Sequence, residues 1–241
     1  MGRAGREREF ISQAVPVESF IGRMTRVVVT CGPSYEPIDE VRRLTNFSTG
    51  EAGILLANAL ASAGYEVLCF KGVGATCARA VEGAQVLPFA TNDHLVAGLE
   101  AIEEREAVAA VFHAAALSDF RVKSVHRADG TAIAAPKIPS REGELLLKLV
   151  PAEKVIARLR GLFPVSRIVG WKYELNGRRA EALRAGVQQI EEHRTDVCVV
   201  NGDAYGAGFG FVEPGAALVH CADKSELCNH LVGWLGLTVG R

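Results

Sequence analysis

The sequence predicts an α/β protein: a Rossmann-like, doubly wound, mostly parallel sheet with a flap or hairpin insertion. Three observations carry this reading. Short runs rich in Val, Ile, Ala and Cys recur along the chain, among them RVVVTCG at 26–32 and DVCVVNG at 196–202. These runs lack the polar–apolar alternation of a half-exposed strand, so they read as strands buried on both faces. Segments with helical spacing of apolar residues follow them.

Taken in order, RVVVTCG leads to a helix expected from about Thr49 to Ala63. EVLCFKG (66–72) and AQVLPFA (84–90) are the second and third strands. NDHLVAGLEAIEEREA (92–107) opens on an Asn/Asp start signal and has helical spacing. VAAVFHAAA (108–116) and SRIVGWKYE (166–174) are further buried strands. A helix is expected over RRAEALRAGVQQIEEHR (178–194), then the strand DVCVVNG, and KSELCNHLVGWL (224–235) is the last helix. Two stretches break the rhythm. Residues 117–150 form a long connection in which TAIAAPKIPS and ELLLKLV look like a pair of strands in a flap; connections of that length are usually functional. DAYGAGFGFVEPGAALVHCA (203–222) reads as a Gly-rich loop and a hairpin. The expected organisation is an N-terminal arm, residues 1–23, and one Rossmann-like domain, residues 24–241, with its flap at 117–150.

Composition narrows the function classes. The chain has 241 residues, 49% hydrophobic and 23% charged, with a formal net charge of -1. That is a globular balance with no global field to attract nucleic acid or a membrane surface. No apolar segment is long enough to span a bilayer. The six cysteines include no C-x-x-C pair and no Cys/His metal spacing, so no protein metal ligands are assigned. Cys31, Cys69 and Cys198 fall inside apolar strands and read as reduced core residues, which fits the cytoplasm.

In a doubly wound sheet, ligands bind beyond the carboxyl ends of the strands. The residues there are unusual. After the first strand comes GPSYEPIDEVRRLTNFSTG (32–50), a rigid loop with two prolines. Ser48, Thr49 and Gly50 open the following helix, where backbone N–H groups and the helix dipole can hold a phosphate or carboxylate. Ser48 or Thr49 could instead serve as a simple N-cap. Arg42 and Asn46, just upstream, favour an anion site. After VAAVFH, the small residues of AAALSDF (114–120) would let a ligand approach the backbone, and Asp119 could accept hydrogen bonds from a ribose or base. His113 reads as a core histidine. Lys137, flanked by Pro136 and Ile138, could be aimed at a phosphate, or could be a solvated surface lysine. Trp171, Lys172 and Glu174 end a strand, where an aromatic and a cation can stack a base and neutralise phosphate.

TCGPSYEPIDEVRRLTNFSTG, AAALSDF, PKIPS, LLLKLVP and GWKYE resemble, in that order, the motifs of phosphopantothenate–cysteine ligase. The resemblance runs from about Arg26 to the C-terminus. It implies a Rossmann-like fold, a homodimer, and an enzyme that joins cysteine to 4′-phosphopantothenate in coenzyme A biosynthesis. The family activates the substrate carboxylate with a nucleoside triphosphate and Mg²⁺, releases pyrophosphate, and lets the cysteine amine attack the acyl-nucleotide. On the matching positions, Asn46 resembles the residue that holds the carboxylate and acyl phosphate, with Arg42 beside it. Lys137 would neutralise phosphate charge. Gly32, Ala115, Ala116, Asp119, Trp171 and Lys172 would form the nucleotide pocket, and Ser48, Thr49 and Gly50 would bind substrate. Many bacterial members are fused to a flavin-dependent decarboxylase; these residues include no such half, so a stand-alone ligase domain is expected.

The chain departs from the common bacterial pattern. KIPS stands where that pattern has K-I-K-K, GWKYE stands for G-F-A-A-E-T, and Gln189 and His193 occupy helix positions that are lysines there. The departures look more like the eukaryotic form, which resembles an ATP user, whereas the bacterial form is similar to CTP users. ATP is therefore the expected cosubstrate, with CTP the alternative, and Lys172 is a candidate for the charge those lysines supply. Two other readings stay open: a Rossmann-type NAD(P)-binding oxidoreductase, against which no G-x-G-x-x-G follows the first strand, and a non-catalytic homologue of the ligase.

Overall fold

The computed structural model describes residues 24–239; the N-terminal arm expected at 1–23 lies outside them. In chain order the strands are β1 (Arg26–Cys31), β2 (Tyr35–Pro37), β3 (Arg43–Thr45), β4 (Glu66–Gly72), β5 (Gln85–Phe89), β6 (Val108–His113), β7 (Phe120–Arg127), β8 (Ala132–Ile133), β9 (Leu145–Pro151), β10 (Arg167–Tyr173), β11 (Val197–Asn201), β12 (Phe209–Val212) and β13 (Val219–Cys221). The α-helices are α1 (Glu51–Ser62), α2 (Asn92–Glu100), α3 (Val155–Leu162), α4 (Arg179–His193) and α5 (Lys224–Val239).

Eight strands form the main sheet in the order β5-β4-β1-β6-β10-β11-β12-β13. The first six are parallel, and β12 and β13 add antiparallel at the far edge. The chain builds outward from β1 to β4 and β5, then returns to β6 on the other side of β1. The switch point, where a doubly wound sheet binds ligands, is therefore the crevice between the carboxyl ends of β1 and β6.

The reason for parallel pairing is visible in β1. Val27, Val29 and Cys31 are buried against α1 and α5 on one face, while Val28 is buried with residues of α2 and α3 on the other. A strand that loses water on both faces gains about 1.5–3 kcal/mol per large apolar side chain, and polar residues have no face to occupy. His113 of β6 shows the exception that burial permits. Its Nδ1 lies 2.9 Å from Thr30 Oγ1, and it is a core histidine, as expected. Burial pushes its pKa down from 6.5 to about 4. The unfolded chain takes up this proton first as pH falls. The stability due to neutral His113 is thus complete above pH 6.5 and is lost between pH 6.5 and about 4, a loss of about 3 kcal/mol by linkage. Urea unfolding across that window should show the decline, and His113→Asn should flatten it.

The flap differs from expectation. It is a three-stranded sheet in the order β8-β7-β9. ELLLKLV does form β9, but its partner is FRVKSVHR, β7, paired from Phe120↔Pro151 to Arg127↔Leu145. TAIAAPKIPS contributes only the two residues of β8, because its prolines cannot donate to a ladder. The flap strands thus begin at Phe120 and run to Pro151. Helix α3 was not expected, and the helix expected over 92–107 ends at Glu100, followed by a short 3₁₀ turn at Arg105–Ala107. No helix among the described residues is long and apolar enough to cross a membrane.

Candidate active site

Three glycines let α1 start against the end of β1. Gly32 closes β1 with φ +79°, and a Cβ on it would lie 2.9 Å from Ala75 Cβ. Gly50 is the N-cap of α1 with φ +77°, and a Cβ there would come within 3.2 Å of the Gly32 backbone. Gly53, in the first turn, faces Cys31 so closely that an added Cβ would sit 2.3 Å from Cys31 Cβ. Tight turn, close backbone approach and helix–strand packing are the three tasks of a dinucleotide fingerprint. Here they are shared out as a glycine, an inserted loop of residues 33–49, then G-x-x-G. Three glycines with these steric tasks are therefore present, separated by the loop.

Gly50, and neither Ser48 nor Thr49, is the helix cap, and no side chain caps α1. Thr49 Oγ1 only accepts the Glu51 N–H at 3.3 Å. Glu51 itself is paired with Lys224 of α5, whose hydrogen bond and charge hold the carboxyl below its ordinary range. The pair ties the amino ends of α1 and α5 together and neutralises the one acid in that turn.

The inserted loop folds as a ribbon of β2 and β3 and is stitched to the segment after β6. The Ser34 N–H donates to Ala116 O at 3.2 Å, the Ala116 N–H to Gly32 O at 3.0 Å, and the Ser118 N–H to Ser34 Oγ at 2.8 Å. Asn46 joins the same seam, with Nδ2 donating to Leu117 O at 2.8 Å and approaching Ala116 O at 3.5 Å. The Ala116 contact is at the outer limit of a hydrogen bond, so the second amide hydrogen is held only weakly, and Oδ1 remains for a ligand. These contacts bring Gly32, Asn46, Gly50, Ala115 and Ala116 to the switch point; Ser48, Thr49 and Asp119 lie on the same two loops, next to them in sequence. Asp119 is exposed, and its carboxylate has no partner among the described residues.

Arg42 meets the flap. It pairs with Asp39, and its Nη2 donates to Ile138 O at 3.0 Å. The Glu40 N–H donates to Pro136 O at 2.9 Å. Lys137, between these two pinned residues, is exposed, and its ammonium has no partner among the described residues. The structure therefore brings Lys137 and Arg42 together although they lie far apart in sequence.

Trp171 and Lys172 stand on β10, the next strand beyond β6, and on opposite faces of the sheet. The Trp171 ring is half-buried against the core under α1 and α5, so packing takes up much of the surface expected to stack a base. Lys172 pairs with Glu174 at 3.1 Å. Its neighbour across the face is His193 of α4, whose pKa is lowered first by burial and then by Lys154 and Lys172, against Glu192. Gln189 bridges strands, donating to Trp171 O at 3.1 Å and accepting from Cys198 Sγ at 3.1 Å. A cavity of about 460 Å³ lies away from all of these residues, between α2 and the β4–β5 edge, lined by Leu68, Phe70, Leu87 and Ile102 among others.

The family model for the DNA/pantothenate metabolism flavoprotein C-terminal domain matches residues 23–230. The chain belongs to this family. The coenzyme A biosynthesis bifunctional protein CoaBC of Thermococcus kodakarensis is 32% identical over 73% of the chain and 41% of that protein. The chain thus spans about two fifths of the relative's length. Among solved structures, the DNA/pantothenate metabolism flavoprotein from Streptococcus pneumoniae superposes with a TM-score of 0.77 at 21% identity, covering 90% of this chain and all of that one. A Cab2 variant in complex with phosphopantothenate-cysteine gives 0.68 at 18% identity, covering 90% and 88%. These two share the fold of the family domain.

Proposed function

We propose that this chain is a phosphopantothenate–cysteine ligase. The substrate carboxylate attacks the α-phosphorus of a nucleoside triphosphate, and pyrophosphate leaves. The cysteine amine then attacks the acyl carbon, the nucleoside monophosphate leaves with the bonding electrons, and the nitrogen gives up a proton as the amide forms. The observation that carries the reading is the meeting of Asn46 with the Ala116–Leu117 carbonyls at the switch point, beside a flap that holds Lys137 against the Arg42 loop. Joining two anions requires cations at the phosphates and a neutral donor at the acyl oxygen, and this crevice offers both. The family, and a relative named for coenzyme A biosynthesis, support the same chemistry.

The nucleotide brings Mg²⁺ under this proposal. Mg²⁺ keeps much of its water and needs one or two carboxylates besides phosphate. Asp119, exposed and with no partner for its carboxylate among the described residues, fits as that ligand. The ion would offset negative charge on the triphosphate; Lys137 and the first-turn amides of α1 would orient it. The proposed setting is the cytoplasm.

We also infer a homodimer. Phe47, next to Asn46, is wholly exposed, and Val41, Leu44, Phe120, Leu146 and Leu149 of the ribbon and flap are exposed as well. Apolar surface of this kind marks contact sites, and a second copy would cover it. Sedimentation should give twice the chain mass, and Phe47→Asp should shift it toward one.

The test of the function is pyrophosphate release from 4′-phosphopantothenate and Mg²⁺, in parallel with ATP and CTP, with and without cysteine. Release with one triphosphate is expected, and identifies the cosubstrate. Folded protein that releases none with either overturns the reading.

A further inference from the structure

Asp39 is a buried charge with no part in the chemistry described so far. Its side chain is 0% exposed although its partner Arg42 is 40% exposed. Oδ1 accepts the N–H groups of Val41 at 2.9 Å and Arg42 at 2.7 Å. Oδ2 accepts the Ile138 N–H at 3.1 Å, across 99 residues of sequence, and Arg42 Nη1. Burial opposes its ionisation, but the three backbone donors and the guanidinium outweigh it and keep the carboxyl below its ordinary range. The same contact is closed by Arg42 Nη2 on Ile138 O and by the Glu40 N–H on Pro136 O. Ile138 is 2% exposed, so its side chain is seated as well as its backbone.

We propose that Asp39 is a positioning residue: a latch that fixes the flap to the substrate loop on both sides of Lys137 and so sets where its ammonium points. Asp39 touches no reacting atom; it acts through Lys137. Holding a catalytic group in place can supply several orders of magnitude in rate, and here one carboxylate serves two distant segments. Both its oxygens face only donors. An asparagine in its place must turn an NH₂ toward at least one N–H, so Asp39→Asn conserves volume and breaks the latch.

The latch rests on the ligase reading only for its catalytic consequence, and its test has two arms. In the first, amide hydrogen exchange is followed at Ile138 and Glu40. Both should be protected in the wild type, and in Asp39→Asn the Ile138 amide should exchange at least about 10-fold faster, as expected when its charge-assisted hydrogen bond is lost. In the second arm, pyrophosphate release is measured for Asp39→Asn, Lys137→Ala and the double variant. Asp39→Asn should lower kcat by about 10–100-fold, and the double variant should match Lys137→Ala within about threefold, because residues acting as one unit are not additive. A merely structural role would multiply the two losses. Unchanged exchange at Ile138, or multiplicative losses, overturns the latch. Absent release from wild type overturns the ligase reading and leaves the exchange arm to decide the latch. Should Asp39→Asn fail to fold, Asp39→Ser keeps an acceptor for the local turn and drops the reach to Ile138, and the same outcomes apply.

Discussion

Lys137→Ala should lower pyrophosphate release by about 10²–10³ in kcat, the range set by removing one preorganised group that meets developing charge. Of the three cations first placed at the site, two are already compensated: Arg42 is paired with Asp39, and Lys172 with Glu174. Lys137 alone among these three has no carboxylate partner among the described residues. A single uncompensated charge about 4 Å from a phosphate oxygen is worth roughly 4 kcal/mol at an effective dielectric of about 20, enough for a loss of that size. Flanking residues Pro136 and Ile138 are held by hydrogen bonds to the 39–42 loop, so the backbone that carries Lys137 is fixed on both sides. The substitution is on an exposed side chain and should leave the unfolding midpoint within about 0.5 kcal/mol of wild type. Lys172→Ala should cost less, because the Lys172 ammonium is already engaged by Glu174 at 3.1 Å. Single-turnover pyrophosphate release measures both. Release by Lys137→Ala within threefold of wild type would remove this lysine from the chemistry.

The alternation of strand and helix was legible because it depends on what each residue loses to water, and β1, β4, β10 and β11 fall where their apolar runs lie. Helix α3 was not legible. It is eight residues long, and its N-cap, Lys154, makes no side-chain cap bond, so neither length nor a start signal marks it. TAIAAPKIPS has the apolar content of a strand but its prolines break a ladder; the true partner of β9 is the alternating segment FRVKSVHR. At the site, the residues of the two loops after β1 and β6 were legible as types, and the crevice that gathers them follows from strand order. The split glycine set was not, since its spacing matches no contiguous motif and the need for each glycine appears only when Cys31 and Ala75 are in place. Asp39 was invisible for a related reason. Locally it is a turn aspartate, and its role depends on an N–H that folding delivers from 99 residues away.

Asn46→Asp should separate the two half-reactions. Asn46 Nδ2 donates to Leu117 O at 2.8 Å and only weakly to Ala116 O at 3.5 Å, so its second hydrogen can serve the acyl oxygen. During the first half-reaction charge moves onto pyrophosphate, away from that oxygen. During the second, attack by the cysteine amine puts negative charge on it. Losing the donor costs about 10²–10³ in rate, and an aspartate adds like-charge repulsion of up to roughly 4 kcal/mol at 4 Å with an effective dielectric near 20. It also sets a carboxylate against the Ala116 and Leu117 carbonyls, where only a donor fits. Asn46→Ala removes the donor without adding charge, so it should fall between wild type and Asn46→Asp. Quenched single-turnover reactions should show Asn46→Asp releasing about one pyrophosphate per active site while amide formation drops by at least about 10³, so that acyl-nucleotide accumulates. Amide formation at the wild-type rate would show that Asn46 only staples the two loops together, and the acyl oxygen would then have to be held by the first-turn amides of α1.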